Sequence, residues 1–488
     1  MLEVQAHQQL KQLLHLEEMP WEHHLTLSRL IGRSLRRKDR TRIRLSAGER
    51  DRWWLGLLVP LCLQSQDCVL VLDERQRQRF LQVELPRLRQ GGLRLACWSG
   101  STAPPGPQLW LLSPAELVNV HRRRGFKRSH QLIIPEAESL AHHLRQAMEL
   151  SIETQDWDRL RQAYPTAGPA LLDLHERLSR QLFAASSRST YDLPMPSSAL
   201  VSLRDLIGLL GPAPEPWAEL LTLQSSQWAS WAHLDQNLLQ WTWTLQPLEP
   251  LQQLHCLLEQ HPSILLQTDG VSLVRKGRTD ERTTESGTVV DIQLHDRMRT
   301  EPLRVFAPRR QPLPNTAIYA EHLLDQCRRL ILGRRGLTVV LLDDPGLRQK
   351  LTTELAGEFG SRVMHQDTAP DVNGVICCSW SWWMNHQNQL PALDQLIVAL
   401  LPVSSLEDPL TAARVEALKR LGQDWFRDLL LPEALAKAIL VSWRSSALEQ
   451  RRQGSQRHAM RRARGTGSAT LCAATLGAAT LGAATLGA

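Results

Sequence analysis

The chain has 488 residues, a net charge of +7 at neutral pH and an apolar fraction of 42%. This length is enough for two to four domains, and this composition excludes a generally disordered chain. No run of about 18 uncharged apolar residues occurs, and the amino terminus lacks the apolar core of a signal peptide, so we expect a cytoplasmic protein without a membrane partner.

The first part of the chain predicts an α/β domain. Residues 1–40 show two amphipathic helix patterns, and residues 41–137 then alternate short apolar runs with helical patterns. The predicted strands are 43–45, 68–72, 93–98, 108–112 and 131–134. Short buried strands that alternate with helices are typical of a parallel sheet covered on both faces. Residues 41–137 therefore have the pattern of a nucleotide-binding domain.

Residues 138–260 change to leucines at helical spacing, which predicts a helical insertion. Several tryptophans fall within it, and packing in a core is a more frequent role for them than stacking on bases. They include Trp217, Trp228, Trp231, Trp241 and Trp243.

A second α/β unit is predicted over residues 261–445, with buried strands at 303–307, 337–342, 372–377 and 395–401. Helices are expected at 320–332, 345–359 and 409–420. Residues 446–488 are basic and end in the repeat AATLGAATLGAATLGA, which predicts a disordered tail and is also what a slipped reading frame would produce.

Charge and cysteine patterns suggest few specific sites. Basic residues cluster at 36–38, along 451–464 and in a central group, which fits contact with the phosphates of DNA or RNA but is also typical of a solvated face. The central group is Arg122, Arg123, Arg124, Lys127 and Arg128. The eight cysteines form no CxxC pair, so we expect a reducing compartment and no metal site.

Several segments occur in the order that one family shows. AGERDRWW (47–54) precedes a leucine-rich helix, as AGTGTGKT does in the family, and IIPEAESL (133–140) keeps the frame of IxDEAHxL. Further on, ILLQTDG (264–270) and CCSWSWWMNHQ (377–387) keep the outlines of two later motifs, and residues 401–435 match an LPF…DP…AR…LPxA run. The chain therefore resembles superfamily 2 helicases of the DinG/XPD type.

The resemblance implies two RecA-like parallel-sheet domains flanking a helical insertion. It also implies that the phosphate loop has lost its chemistry, because Gly48 is kept while Trp53 takes the place of the lysine and Trp54 that of the Ser/Thr. A phosphate loop needs that lysine for the phosphates and that hydroxyl for Mg²⁺. Two indoles supply neither.

The other implied site residues are also incomplete. Glu136 holds the place of the catalytic base, but Pro135 replaces the Asp that would hold Mg²⁺ through water, and Glu138 replaces the His. Arg444 is the one candidate for an arginine finger, and Trp383, which matches the family tryptophan, is a candidate for nucleic-acid contact. The family's iron–sulfur cluster needs four cysteines, and three lie in the right region, so no cluster is expected.

Three functions follow from these patterns. The first is a helicase-like protein without ATP hydrolysis or any expected cofactor, which keeps nucleic-acid binding or a scaffolding role. The second is an active ATP- and Mg²⁺-dependent DNA helicase with divergent motifs. The third is a module that binds a protein partner through the tryptophan-rich insertion and through Trp380, Trp382 and Trp383. A steep dependence of binding on salt would separate nucleic-acid binding from the third.

Overall fold

The computed structural model describes residues 2–15, 21–45, 52–185, 192–267, 289–294, 304–308, 310–387, 389–391, 393–438 and 470–473. Its strands are β1 (Thr41–Arg44), β2 (Cys68–Val71), β3 (Cys97–Trp98), β4 (Leu109–Leu112), β5 (Gln131–Ile134), β6 (Leu150–Ile152), β7 (Asp192–Pro194), β8 (Trp228–Asp235), β9 (Gln240–Pro247), β10 (Ser263–Gln267), β11 (Val290–Gln293), β12 (Arg304–Phe306), β13 (Leu337–Leu341), β14 (Val363–His365), β15 (Val375–Cys378), β16 (Leu393–Val398) and β17 (Thr470–Ala473).

The α-helices are α1 (Leu2–Leu14), α2 (His24–Arg37), α3 (Trp54–Leu63), α4 (Glu74–Arg79), α5 (Leu85–Gln90), α6 (Pro114–Arg122), α7 (Leu140–Ala147), α8 (Thr154–Ala163), α9 (Gly168–Ala185), α10 (Ser197–Leu210), α11 (Trp217–Thr222), α12 (Gln252–Gln260), α13 (Ala317–Ile331), α14 (Pro345–Phe359), α15 (Trp380–His386) and α16 (Pro409–Arg420). Residues 431–438 are also helical. In the part of the chain that is described, no helix has the length and apolar character needed to cross a bilayer.

The first sheet is parallel and has the order β11-β1-β10-β5-β2-β4-β3. Neighbouring residues of β2 point to opposite faces, so that Val69 joins one hydrophobic core and Leu70 joins the other. All four residues of β2, β4 and β5 are buried. Burial on both faces explains why these strands are continuous apolar runs, and the α/β fold class predicted for this unit is confirmed.

The predicted boundary at residue 261 is wrong, because the chain returns to the first sheet after the insertion. β10 lies between β1 and β5, with Ile43 opposite Leu266 and Ile264 opposite Ile133. β11 then pairs with the other side of β1. The first α/β unit therefore includes residues up to at least 293, and the second unit begins later than expected.

The insertion is not purely helical, which corrects the prediction of a helical insertion over residues 138–260. Helices α8 to α11 pack with an antiparallel sheet of order β6-β9-β8-β7. Strand β9 carries Trp241 and Trp243 two residues apart, and this period of two is typical of a strand. The expectation that the tryptophans pack in the core agrees with their burial, except for half-buried Trp231.

The second sheet has the order β12-β17-β16-β13-β15-β14 and is also parallel. Helices α14 and α16 have the predicted bounds, and α16 also contacts β7 and β8 of the insertion. Within the tail, for which disorder was predicted, the described residues are Thr470–Ala473, and they form β17 between β12 and β16.

The loop that connects α6 with β5 is fixed to the amino edge of the first sheet by one aromatic side chain. The Phe126 ring lies 5.6 Å from Trp110, 6.1 Å from His130 and 6.0 Å from His261, measured between ring centroids. The Nδ1 atom of His130 accepts a hydrogen bond of 3.1 Å from the backbone N–H of Lys127. This loop, residues 123–130, is therefore held at both its middle and its end.

Removing β10 and β11 is expected to unfold the first unit. A fragment of residues 1–260 leaves β1 and β5 without the strand between them, and it removes Ile264 and Leu266 from the core. A fragment of residues 1–294 keeps both strands. We expect a cooperative thermal transition by circular dichroism for the longer fragment and none for the shorter one; equal transitions would contradict the revised boundary.

Acidification is expected to destabilise the amino edge. Burial lowers the pKa of both His130 and His261 below the ordinary value of 6.5. The negative charge of Asp67 opposes this shift at His130, whereas the positive charges of Lys127 and Lys38 add to it. His121 adds to the shift at His261. The unfolded chain then binds protons more readily, so stability is fully present above pH 6.5 and is lost as the pH falls through the lowered values.

Urea unfolding above and below pH 6.5 measures the loss in the free energy of unfolding. This loss is about 1.4 kcal/mol for each unit by which a pKa is lowered. A variant with His130→Gln and His261→Gln should show a flatter pH profile than the wild type. His255→Gln, at an exposed position on α12, is the control. Identical profiles for all three proteins would rule out the two buried histidines as the source.

Candidate functional site

The carboxyl edge of the first sheet is the candidate site. Because β1, β10, β5 and β2 are parallel, their last residues meet at this edge, where open α/β sheets bind their ligands. Asp73 follows β2, Glu136 follows β5, and the phosphate-loop segment follows β1. Residues 46–51, which include Gly48, lie outside the described residues, and so does Arg444.

The two indoles at the lysine and Ser/Thr positions lie in the protein core. Trp53 and Trp54 are 0% and 1% exposed, and their rings stack with centroids 4.2 Å apart and an interplanar angle of 27°. Phe80 continues the stack at 6.1 Å from Trp54. The start of α3 therefore directs its side chains into the core, and no cation can come from these two positions.

Glu136 has a cationic partner from the same chain. Its side chain is 3% exposed, and both carboxylate oxygens lie near the Arg75 guanidinium, at 3.3 and 3.4 Å. The backbone at Glu136 has φ of +49°, a left-handed conformation that is uncommon for a residue with a side chain. This turn is tied to β10, because the N–H of Ala137 donates to the carbonyl of Leu266 at 2.7 Å.

Asp73 is also engaged by its own chain. Its side chain caps α4 by accepting from the N–H of Gln76 at 2.8 Å, and the other oxygen lies 3.3 Å from His143 on α7. Burial acts to raise the pKa of Asp73, but the hydrogen bonds from His143 and Gln76 outweigh burial, and the pKa lies below its ordinary value. The carboxylate thus fixes α4 and α7 to this edge.

The residues present do not fit an ATP–Mg²⁺ complex bound in the family's manner. The metal-holding position is a buried proline, Pro135, and the lysine position is buried Trp53. In the described residues, no three His, Cys, Asp or Glu side chains lie close enough together to hold a metal ion. The carboxylate at the base position faces Arg75.

Of the three cysteines in the region of the family's iron–sulfur cluster, Cys68 is buried, and Cys62 and Cys97 are half-buried. Burial raises the pKa of Cys62 and of Cys68 to about 12, and that of Cys97 to about 11.

The nucleic-acid candidates are not brought together at this edge. Arg122, Arg123, Arg124, Lys127 and Arg128 belong to the end of α6 and to the loop before β5, which places them at the opposite, amino edge of the sheet. Trp383 is 2% exposed in the core of the second unit and has no surface on which a base could stack, so its expected role in nucleic-acid contact is wrong.

Sequence reasoning missed Arg75, Asp73 and His143. Asp73 did carry a signal, since an Asp followed three residues later by Gln after a buried run is typical of a capping box. Arg75 and His143 carried none, because they meet their partners through contacts between elements far apart in the chain, which no local pattern records.

A lysine restored at position 53 is expected to destabilise the protein instead of completing the site. Trp53→Lys places an ammonium group in a fully buried position and removes the stacking partner of Trp54. We expect a loss of about 3 kcal/mol or more in the free energy of unfolding, measured in urea.

Trp53→Phe is the matched control, because it keeps an aromatic ring, and the indole N–H of Trp53 has no hydrogen-bond partner in the described structure. Its loss should be clearly smaller. A Trp53→Lys protein as stable as the wild type, with new binding of ATP, would show that position 53 faces the cleft.

A comparison with one solved structure agrees with this architecture. The structure of S. tokodaii Xpd4 is similar with a TM-score of 0.53 at 10% identity, over 93% of this chain and 95% of that chain. Mycobacterium smegmatis helicase Lhr bound to ssDNA and AMP-PNP aligns with a TM-score of 0.32 at 11% identity, over 83% of this chain and 45% of that one. S. cerevisiae Dbp5 bound to RNA and ADP BeF3 aligns with a TM-score of 0.33 at 9% identity, over 83% and 82%.

No protein-family model matches the sequence, and no curated protein is detectably related to it. At 10% identity the similarity to Xpd4 establishes the fold. The fold, with two RecA-like parallel sheets, is similar to that of Xpd4.

Proposed function

We propose that this chain is a helicase-derived protein that binds nucleic acid and does not hydrolyse ATP. The observation that carries the proposal is that the family's base position, Glu136, pairs with Arg75, while the lysine position, Trp53, is buried in the core. Within superfamily 2 we propose the DinG/XPD type, and the support is that residues 133–140 and 401–435 resemble motifs of that type.

Electrostatics is the reason for expecting no turnover. Phosphoryl transfer is catalysed almost entirely by positioning and by charge stabilisation around the γ-phosphate. Removal of a single stabilising donor in other enzymes typically costs a factor of about 10²–10³ in rate. Here the lysine and the metal-holding Asp are both replaced, by Trp53 and Pro135.

An active helicase with divergent motifs is the second candidate, because one cation does reach the cleft. The side chain of Arg75 is 57% exposed and lies beside Glu136. If Arg75 contacted phosphate, it would have to leave Glu136. The tryptophan-rich protein-binding function receives no such support, since Trp380 and Trp383 are buried.

ATP turnover in the presence of Mg²⁺ and DNA separates the two candidates. We expect the wild type, Glu136→Gln and Arg75→Ala to share the same background rate in a phosphate-release assay. The variants should differ in stability instead, because each removes one partner of the ion pair. Turnover by the wild type that Glu136→Gln abolishes would overturn the proposal and establish the active helicase.

A further inference from the structure

Two basic clusters that are far apart in the sequence lie side by side in the fold. Lys38, at the end of α2, donates from Nζ to the carbonyl of Ser129 at 2.7 Å and lies 3.8 Å from Asp67. Close by, Gln131 donates from Nε2 to the carbonyl of Ser34 at 3.1 Å. These bonds join the carboxyl end of α2 to the loop of residues 123–130 at the amino edge of the first sheet.

The joined clusters form one exposed cationic surface, here called the amino-edge surface. Its members are all exposed, and they are Arg37, Lys38, Arg123, Arg124, Lys127 and Arg128. Among the described residues, the carboxylate within ion-pair distance of this set is that of Asp67, which pairs with Lys38. Neighbouring Arg122 is occupied by Glu219 at 3.3 Å. The surface therefore keeps a large excess of positive charge.

The backbone of the loop is held in place, so the cations are displayed on a fixed support. Phe126 packs among Trp110, His130 and His261, and the N–H of Lys127 is bonded to His130. Arg124 has φ of +53°, a left-handed conformation that reverses the chain just after α6. A fixed support lowers the entropy that a bound polyanion would cost the protein.

We propose that the amino-edge surface binds the phosphate backbone of double-stranded nucleic acid. The inference depends on the nucleic-acid binding in the proposed function. It adds the position of the binding surface and the double-stranded form of the partner. Because the surface lies at the amino ends of the strands, it is separate from the cleft of Glu136 at their carboxyl ends.

A duplex fits this surface better than a single strand. Proteins that hold single strands combine positive charge with exposed aromatic rings on which bases stack. Here the aromatic side chain of the loop, Phe126, is directed into the sheet edge and packs against Trp110. Contacts are then made with phosphates alone, and a duplex presents the denser row of phosphates, with one charge for about every 1.7 Å of its axis.

Charge reversal tests the assignment in the full-length protein. The variant carries Arg123→Glu and Lys127→Glu, and the control carries Arg177→Glu and Arg180→Glu on exposed positions of α9, with the same change in net charge. Fluorescence anisotropy measures binding of a short labelled DNA duplex, and of one of its strands alone, over a series of salt concentrations. Circular dichroism confirms that both variants fold.

We expect the variant to bind the duplex at least about tenfold more weakly than the control, with a slope of log K against log salt reduced by about 1.8 for two phosphate contacts. If the wild type binds the duplex and the variant binds it equally well, the inference is overturned and the proposed function still stands. A loss confined to the single strand would also overturn it. Absence of any nucleic-acid binding by the wild type would overturn both.

Discussion

The packing of the first unit depends on the stacked side chains of Trp53 and Trp54. Both indoles are buried at the start of α3, and with Phe80 they form a stack in the core that this helix shares with the first sheet. In a phosphate loop, the same turn directs a lysine and a hydroxyl outward to the nucleotide. Packing and phosphate chemistry therefore compete for one turn of chain, and in this sequence packing has taken both positions.

The polar residues at the carboxyl edge have gained structural roles that fit this change. Glu136 pairs with Arg75, and Asp73 caps α4 while contacting His143. A buried carboxylate without a partner would be costly, whereas one that accepts hydrogen bonds from the chain is tolerated. The edge is thus stable by its own contacts, and it does not depend on a nucleotide or a metal for its charge balance.

Sequence patterns predicted the elements better than their connections. The apolar runs at Cys68–Val71 and Gln131–Ile134 were found because buried parallel strands are continuous in hydrophobicity. The return of Ser263–Gln267 to the first sheet was missed, since pairing with β1 joins residues more than two hundred positions apart. The strands of the insertion were missed because their tryptophans were interpreted as core and helix-packing residues, and the spacing of two between Trp241 and Trp243 was overlooked.

The site was predictable to the same limited degree. The positions of Trp53 and Glu136 could be found from local motifs, but Arg75 could not, because its role arises from the meeting of α4 with the turn after β5. The basic clusters were visible in the sequence as separate runs, and their union through Lys38 and Ser129 is a property of the fold. The proposed interaction with nucleic acid needs no nucleotide, because the amino-edge surface lies at the edge of the sheet opposite the cleft of Glu136.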